Sequence, residues 1–126
     1  MATWNKEHNR IIYDNYDDFL QIQSARVKTF TKFDPKGAKH ILHDLNRFYK
    51  YINKEFKILD AGCRDGWAIG RMRYDGFSHV YGIDVVEEAI QSCKRMGYEA
   101  DIQNCEQTNF QDNMFDAIFC RHTIEH

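Results

Sequence analysis

The stretch "FKILDAGCRDG", residues 56 to 66, decides how this chain folds. Its first half is a short apolar run that reads as a β-strand, and it ends in an acid, Asp60, and a glycine, Gly62. Downstream, "WAIGRMRYDG" (67–76) predicts a helix closed by Gly76, and "HVYGID" (79–84) a second strand that again ends in an acid. "VVEEAIQSCKRMG" (85–97) predicts a helix with Ala89, Ile90 and Cys93 turned inward and Gly97 as its stop. "YEADIQ" (98–103) predicts a weaker strand, and "FDAIFC" (115–120) a strand apolar enough to be buried on both faces. Strand, helix, strand, helix, strand, loop, strand implies an α/β fold: a parallel sheet with right-handed crossovers.

Upstream the texture differs. Residues 9–33 carry Ile12, Tyr16, Phe19, Leu20, Val27 and Phe30 at mixed three-four spacing, which predicts one or two short amphipathic helices. Residues 1–36 are therefore expected to form a helical lid or cap. "DPKG" (34–37) holds the single proline and reads as a turn. From Ala38 to about Tyr51, the positions of Ile41, Leu42, Leu45, Phe48 and Tyr49 predict an amphipathic helix with His40 and His43 on its polar side.

A chain of 126 residues is expected to form one domain over 1–126, and its 43% hydrophobic content suits a core that needs no disulfides. The formal net charge of −2 carries no basic excess of the kind nucleic-acid binding uses. The polar start "MATWNKEHNR" lacks the apolar core of a signal peptide, and no apolar run approaches the roughly 18 residues of a membrane span. Cys63, Cys93, Cys105 and Cys120 show no C-x-x-C spacing and read as reduced, buried thiols, so a cytoplasmic location is expected.

Open parallel sheets bind ligands beyond the carboxyl ends of their strands. The loop after the first strand, "DAGCRDG" (60–66), has Gly62 and Gly66 for sharp turns close to a ligand, with helix N–H groups facing it. Asp84 stands at the next strand tip, where a carboxylate can accept both hydroxyls of a ribose. The glycines run Gly62-x-x-x-Gly66-x-x-x-Gly70, which is not the G-x-G-x-x-G of dinucleotide sites. Asp60 would also repel a pyrophosphate but suits an ammonium group. A nucleoside that carries an amino acid meets both conditions, and S-adenosylmethionine is such a molecule.

"ILDAGCRDG" resembles the first motif of class I S-adenosylmethionine-dependent methyltransferases, and "VYGIDVVEEAI" resembles their second. "NCEQTNFQDNMFDAIFCRHTIEH" is similar to the stretch these enzymes carry from the third strand into the fourth, ending in E-H. The resemblance runs from about residue 56 to 126 and implies a Rossmann-like sheet with flanking helices, as in the N-terminal half of that fold. It implies that Asp60 holds the methionine amino group and that the loop of Gly62, Cys63, Arg64 and Gly66 lines the methionine moiety. Asp84 would take the ribose hydroxyls, Val85 would pack on adenine, and Asn104 with the backbone of Cys105 would bond its edge. Arg121 and His122 would lie at the mouth of the site, His122 as a candidate general base. The implied function is methyl transfer to a small-molecule acceptor, with S-adenosylhomocysteine as product.

Arg64 stands where the family has a glycine. The family domain also continues beyond the fourth strand, so either further chain or self-association is expected to cover that strand's edge. "HTIEH" (122–126) matches the H-x-x-E-H of zinc peptidases, but those need a further downstream ligand; no metal is expected. Trp67 reads equally as a flank of the methionine and as helix packing. Two other functions compete: a cofactor-binding module or fragment without activity, and a nucleotide-dependent oxidoreductase, which shares Asp84 but not the loop.

Overall fold

The computed structural model describes residues 2–5, 10–13, 17, 20, 21, 24, 32–104, 110 and 113–120. Its centre is a four-stranded parallel sheet built from β3 (Ile58–Ala61), β4 (Val80–Asp84), β5 (Glu99–Ile102) and β6 (Ala117–Cys120), in the order β5-β4-β3-β6. From β3 the chain steps outward to β4 and β5, then returns to pair β6 on the other side of β3. The carboxyl end of β3 is therefore the switch point of the sheet, where such folds open a crevice. In register, Asp60 lies opposite Gly82 on one side and Phe119 on the other.

Alternation sorts these strands into two faces. Ile58, Val80, Ala100 and Phe119 point to the face covered by helices α1 (Lys39–Phe48), α2 (Trp67–Tyr74) and α3 (Glu87–Arg95). There they join Leu45, Ile69, Met72, Ile90 and Cys93 in the main core. Full burial of a side chain such as Ile58 or Met72 contributes roughly 1.5–3 kcal/mol. Leu59, Ala61 and Ile83 form a smaller cluster on the other face with Tyr81, Phe110 and Phe115. The three rings pack at centroid distances of 4.9 to 6.4 Å.

Helix ends follow their sequence signals. Asp65 Oδ1 accepts the Trp67 N–H at 3.3 Å at the start of α2, and Gly76 (φ 102°) follows its last turn. Glu87 and Glu88 open α3, Lys94 and Arg95 close it, matching the helix dipole, and Gly97 (φ 82°) stops it. The 34–37 turn forms as expected, with the Gly37 N–H on Asp34 O at 3.0 Å. It also anchors α2: Trp67 Nε1 donates to Asp34 O and Arg71 Nη1 to Pro35 O, both at 2.8 Å. Trp67 is thus a buried packing residue. No helix among the described residues is long and apolar enough to cross a membrane.

Three expectations change. Residues Arg10–Tyr13 do not open a helix; they pair as strand β2 with β1 (Ala2–Asn5), in register Thr3 with Ile12. The adjacent β-branched Ile11 and Ile12 suit a pleated strand better than a helix. Asp17, Leu20, Gln21 and Ser24 are helical, and the rest of 14–31 lies outside the described residues. Strand β6 is not buried on both faces: Phe119 is buried, but Ile118 is 58% exposed. Among the described residues β6 is the last strand of the sheet. For the same reason Cys120 is exposed, whereas Cys63 and Cys93 are buried as expected.

Candidate functional site

The loop after β3 is shaped by backbone bonds to β4. The N–H groups of Gly62 and Cys63 both donate to Ile83 O, at 2.8 and 2.9 Å, which draws the chain toward the tip of β4. Gly62, Arg64 and Gly66 then take φ values of 80°, 51° and 89°, alternate left-handed positions within five residues. Glycine adopts these at little cost; Arg64 does not, at about 1–2 kcal/mol. A charge-assisted bond offsets that cost, since the Arg64 N–H donates to Asp84 Oδ2 at 2.9 Å.

Asp84 is buried and holds two elements at once, because its Oδ1 also accepts the Val86 N–H ahead of α3 at 2.9 Å. Among the described residues each oxygen accepts one such bond, so about half of the carboxylate's accepting capacity is left for a ligand. Asp60, on the same face of the neighbouring strand, is only 3% exposed, and its Oδ2 has no hydrogen-bond partner among the described residues. Burial first, then the charges of Asp84 and Asp65, push the Asp60 carboxyl up to about 7. A buried acceptor without a donor is costly, and an acid flanked by two acids gains most from a cationic donor. The residues at this strand tip therefore fit a ligand that brings an ammonium group to Asp60 and a hydroxyl-bearing group to Asp84.

The glycines at 62, 66 and 70 divide their work. Gly62 serves the turn. A Cβ on Gly66 would lie 2.8 Å from Cys93 Sγ and 3.0 Å from the Tyr98 ring. One on Gly70 would strike the Tyr98 hydroxyl and come within 2.8 Å of the Phe33 ring. Gly66 and Gly70, four apart, thus give α2 a flat face on which Tyr98, Phe33 and Cys93 pack. Gly82 does the same on the sheet, its Cβ position lying 2.8 Å from Cys63 Sγ. Reading the sequence missed Tyr98, Phe33 and the loop role of Cys93; the i, i+4 glycine pair was the available signal.

Of the residues expected at the site, Asp60, Gly62, Cys63, Arg64, Gly66 and Asp84 converge at the tips of β3 and β4. Val85 follows directly and is half-buried. The Gln103 N–H donates to Asp84 O at 3.1 Å, which brings the start of the next loop to the same tip, with exposed Asn104 beside it. Cys105, Arg121 and His122 lie outside the described residues, as do Glu125 and His126. Among the described residues no group of three His, Cys, Asp or Glu is placed to hold a metal ion.

The chain is similar to known proteins in sequence and in fold. The chain is 31% identical over 88 residues to a probable methyltransferase of Aspergillus luteorubrus, covering 59% of this chain and 31% of that one. It is 32% identical over 92 residues to an uncharacterized RNA methyltransferase of Halalkalibacterium halodurans, covering 73% and 19%. A solved SAM-dependent methyltransferase of Methanosarcina mazei superposes with a TM-score of 0.53 at 27% identity, over 58% of this chain and 40% of that one. A Pyrococcus horikoshii protein shares the fold with a TM-score of 0.59 at 23% identity, over 75% and 47%. The chain spans about a third or less of the length of the curated relatives it matches. The profile of the methyltransferase domain family matches residues 59–126, more than half of the sequence and nearly all of the β3–β6 sheet; the chain belongs to that family.

Proposed function

We propose that this chain forms the cofactor-binding part of an S-adenosylmethionine-dependent methyltransferase. The observation that carries the reading is the buried Asp60 Oδ2 at the switch point, one strand from Asp84 and without a hydrogen-bond partner among the described residues. In this reading Asp60 receives the methionine ammonium, and the loop of Gly62, Cys63, Arg64 and Gly66 lines the methionine chain. Asp84 accepts the ribose hydroxyls on its remaining lone pairs while still holding the Arg64 and Val86 N–H groups. Val85 packs on adenine, and Asn104 with the Cys105 N–H meets its polar edge. Bound cofactor supplies an electrophilic methyl on its sulfonium. Such transfer needs mainly orientation from the protein, so the chain's task is to hold donor and acceptor in line and exclude water. His122 and Arg121 border the acceptor, His122 taking the proton from an acceptor hydroxyl or amine.

The acceptor is a small molecule in this reading, supported by the net charge of −2, which offers no attraction to a phosphate backbone. The likeness to an RNA methyltransferase makes RNA the second reading. Reduced thiols at the centre of the fold favour the cytoplasm. Calorimetry with S-adenosylhomocysteine and with NAD tests the cofactor: the first should bind and the second should not. Equal or tighter NAD binding overturns the reading in favour of an oxidoreductase. Salt-dependent retention of RNA by the chain would move the acceptor to RNA.

A further inference from the structure

The Arg64 residue is held from two sides. Its N–H donates to Asp84 Oδ2 at 2.9 Å, and its carbonyl accepts from the thiol of Cys93, Sγ to O 3.4 Å. Cys93 comes from α3, is fully buried, and lies in neither the loop nor a strand tip. Its sulfur also fills the space that Gly66 leaves open, 2.8 Å from where a Cβ would stand. One atom of α3 therefore sets both the height of the loop and the orientation of the peptide that follows Arg64, while Asp84 holds the peptide that precedes it. Cys63 completes a short chain of weak donors, with its Sγ 3.9 Å from Arg64 O and 4.0 Å from Cys93 Sγ.

We propose that Cys93 is a positioning residue for the nucleoside end of the site, acting through the Arg64 carbonyl on the N–H that Arg64 gives to Asp84. The proposal rests on the cofactor reading for its functional consequence but not for its structural one. The left-handed φ of 51° at Arg64 is what makes the support necessary, because a non-glycine residue leaves that region unless both of its peptide groups are held. A serine hydroxyl keeps a donor at this position, whereas alanine and valine offer none. The thiols act here as donors. The hydrogen bond to Cys93, burial, and the nearby Asp60 raise the Cys63 thiol well above its ordinary range, so it stays protonated. Their 4.0 Å separation is also about twice a disulfide bond.

The test uses the full chain with Cys93→Ala, Cys93→Val, which keeps bulk without a donor, and Cys93→Ser, which keeps a donor. Two quantities are read: amide hydrogen exchange at Arg64 relative to Ile90, and S-adenosylhomocysteine affinity by calorimetry. The Ala and Val variants should raise the exchange ratio about three- to tenfold, the loss of one modest hydrogen bond. They should weaken binding by a similar factor, and Cys93→Ser should restore most of both. If the Ala variant does not fold, the Val and Ser pair decides on the same readings. An unchanged exchange ratio in the donorless variants overturns the proposal, as does weakened binding that Ser leaves uncorrected. Should the wild-type chain not bind S-adenosylhomocysteine, the cofactor reading falls, while the exchange ratio still decides the role of Cys93.

Discussion

Asp60 and Asp84 sit on the same face of adjacent parallel strands, Asp60 opposite Gly82 and Asp84 two residues further on, yet they are in opposite states. Both oxygens of Asp84 accept loop N–H groups, whereas Asp60 Oδ2 accepts none among the described residues. Asp84 builds the loop, and Asp60 waits beneath it. That difference separates a structural carboxylate from one whose buried oxygen no described residue of the chain satisfies.

Folding raises the Asp60 carboxyl to about 7 from an ordinary value near 4, so between those limits the native state binds more protons than the unfolded one. Stability contributed by this group is therefore greatest at low pH and falls as pH rises through about 7. The loss should be on the order of 2–4 kcal/mol between pH 4 and 8. Asp60→Asn should flatten that slope in denaturant titrations at a series of pH values. A wild-type slope identical to that of the variant would show that Asp60 ionises without cost.

A cationic ammonium bound at Asp60 requires the ionised carboxylate. S-adenosylhomocysteine binding near pH 6.5–7 should therefore release part of a proton, about half when the pH equals the raised value. Calorimetry in buffers of different ionisation enthalpy reads this directly. Asp60→Asn should bind more weakly and release no proton from this site.

Asp84→Ala leaves the Arg64 and Val86 N–H groups without their acceptor. It should cost about 2–4 kcal/mol of stability, as two charge-assisted bonds are lost, and at least about tenfold in S-adenosylhomocysteine affinity. Asp84→Asn, whose carbonyl oxygen still accepts, should lose less of both. Equal affinity in Asp84→Ala and wild type would remove the ribose role.

Arg64→Gly relieves the left-handed strain at φ 51° but adds backbone freedom to the unfolded chain. A net gain of up to about 1 kcal/mol is expected, with cofactor-product affinity unchanged or improved. A large loss of affinity would place the Arg64 side chain on the ligand.

Gly70→Ala should destabilise by about 1–3 kcal/mol even though alanine is the better helix former, because the methyl meets the Tyr98 hydroxyl and the Phe33 ring. Tyr98→Phe removes the nearer obstacle. The double variant should therefore recover part of the loss, and a thermodynamic cycle in chemical denaturation would show positive coupling. Additive losses would mean that Tyr98 does not buttress the glycine face.

Much of this could be read from the residues in order. The alternation of apolar runs and helical patterns located β3 to β6 and the helices between them, because hydrophobic period is a local property. The acids at 60 and 84 were visible as strand-end residues for the same reason, and so were the stops at Gly76 and Gly97. Where the local pattern was mixed, as at 10–13, the expected helix gave way to a hairpin strand, since pairing with Ala2–Asn5 outweighs weak periodicity.

What the linear chain determined by itself was the kind of sheet and which of its tips carry acid, both set by spacing along one segment. Tertiary structure alone decided the rest. It left Asp60 with an oxygen that no described residue satisfies while engaging Asp84, brought Cys93 of α3 to the Arg64 carbonyl, set Tyr98 against two glycines, and exposed Ile118 on a strand apolar enough to be buried. Each depends on contacts between segments distant in sequence, where burial and hydrogen-bond saturation are properties of the assembled neighbours and not of any one stretch.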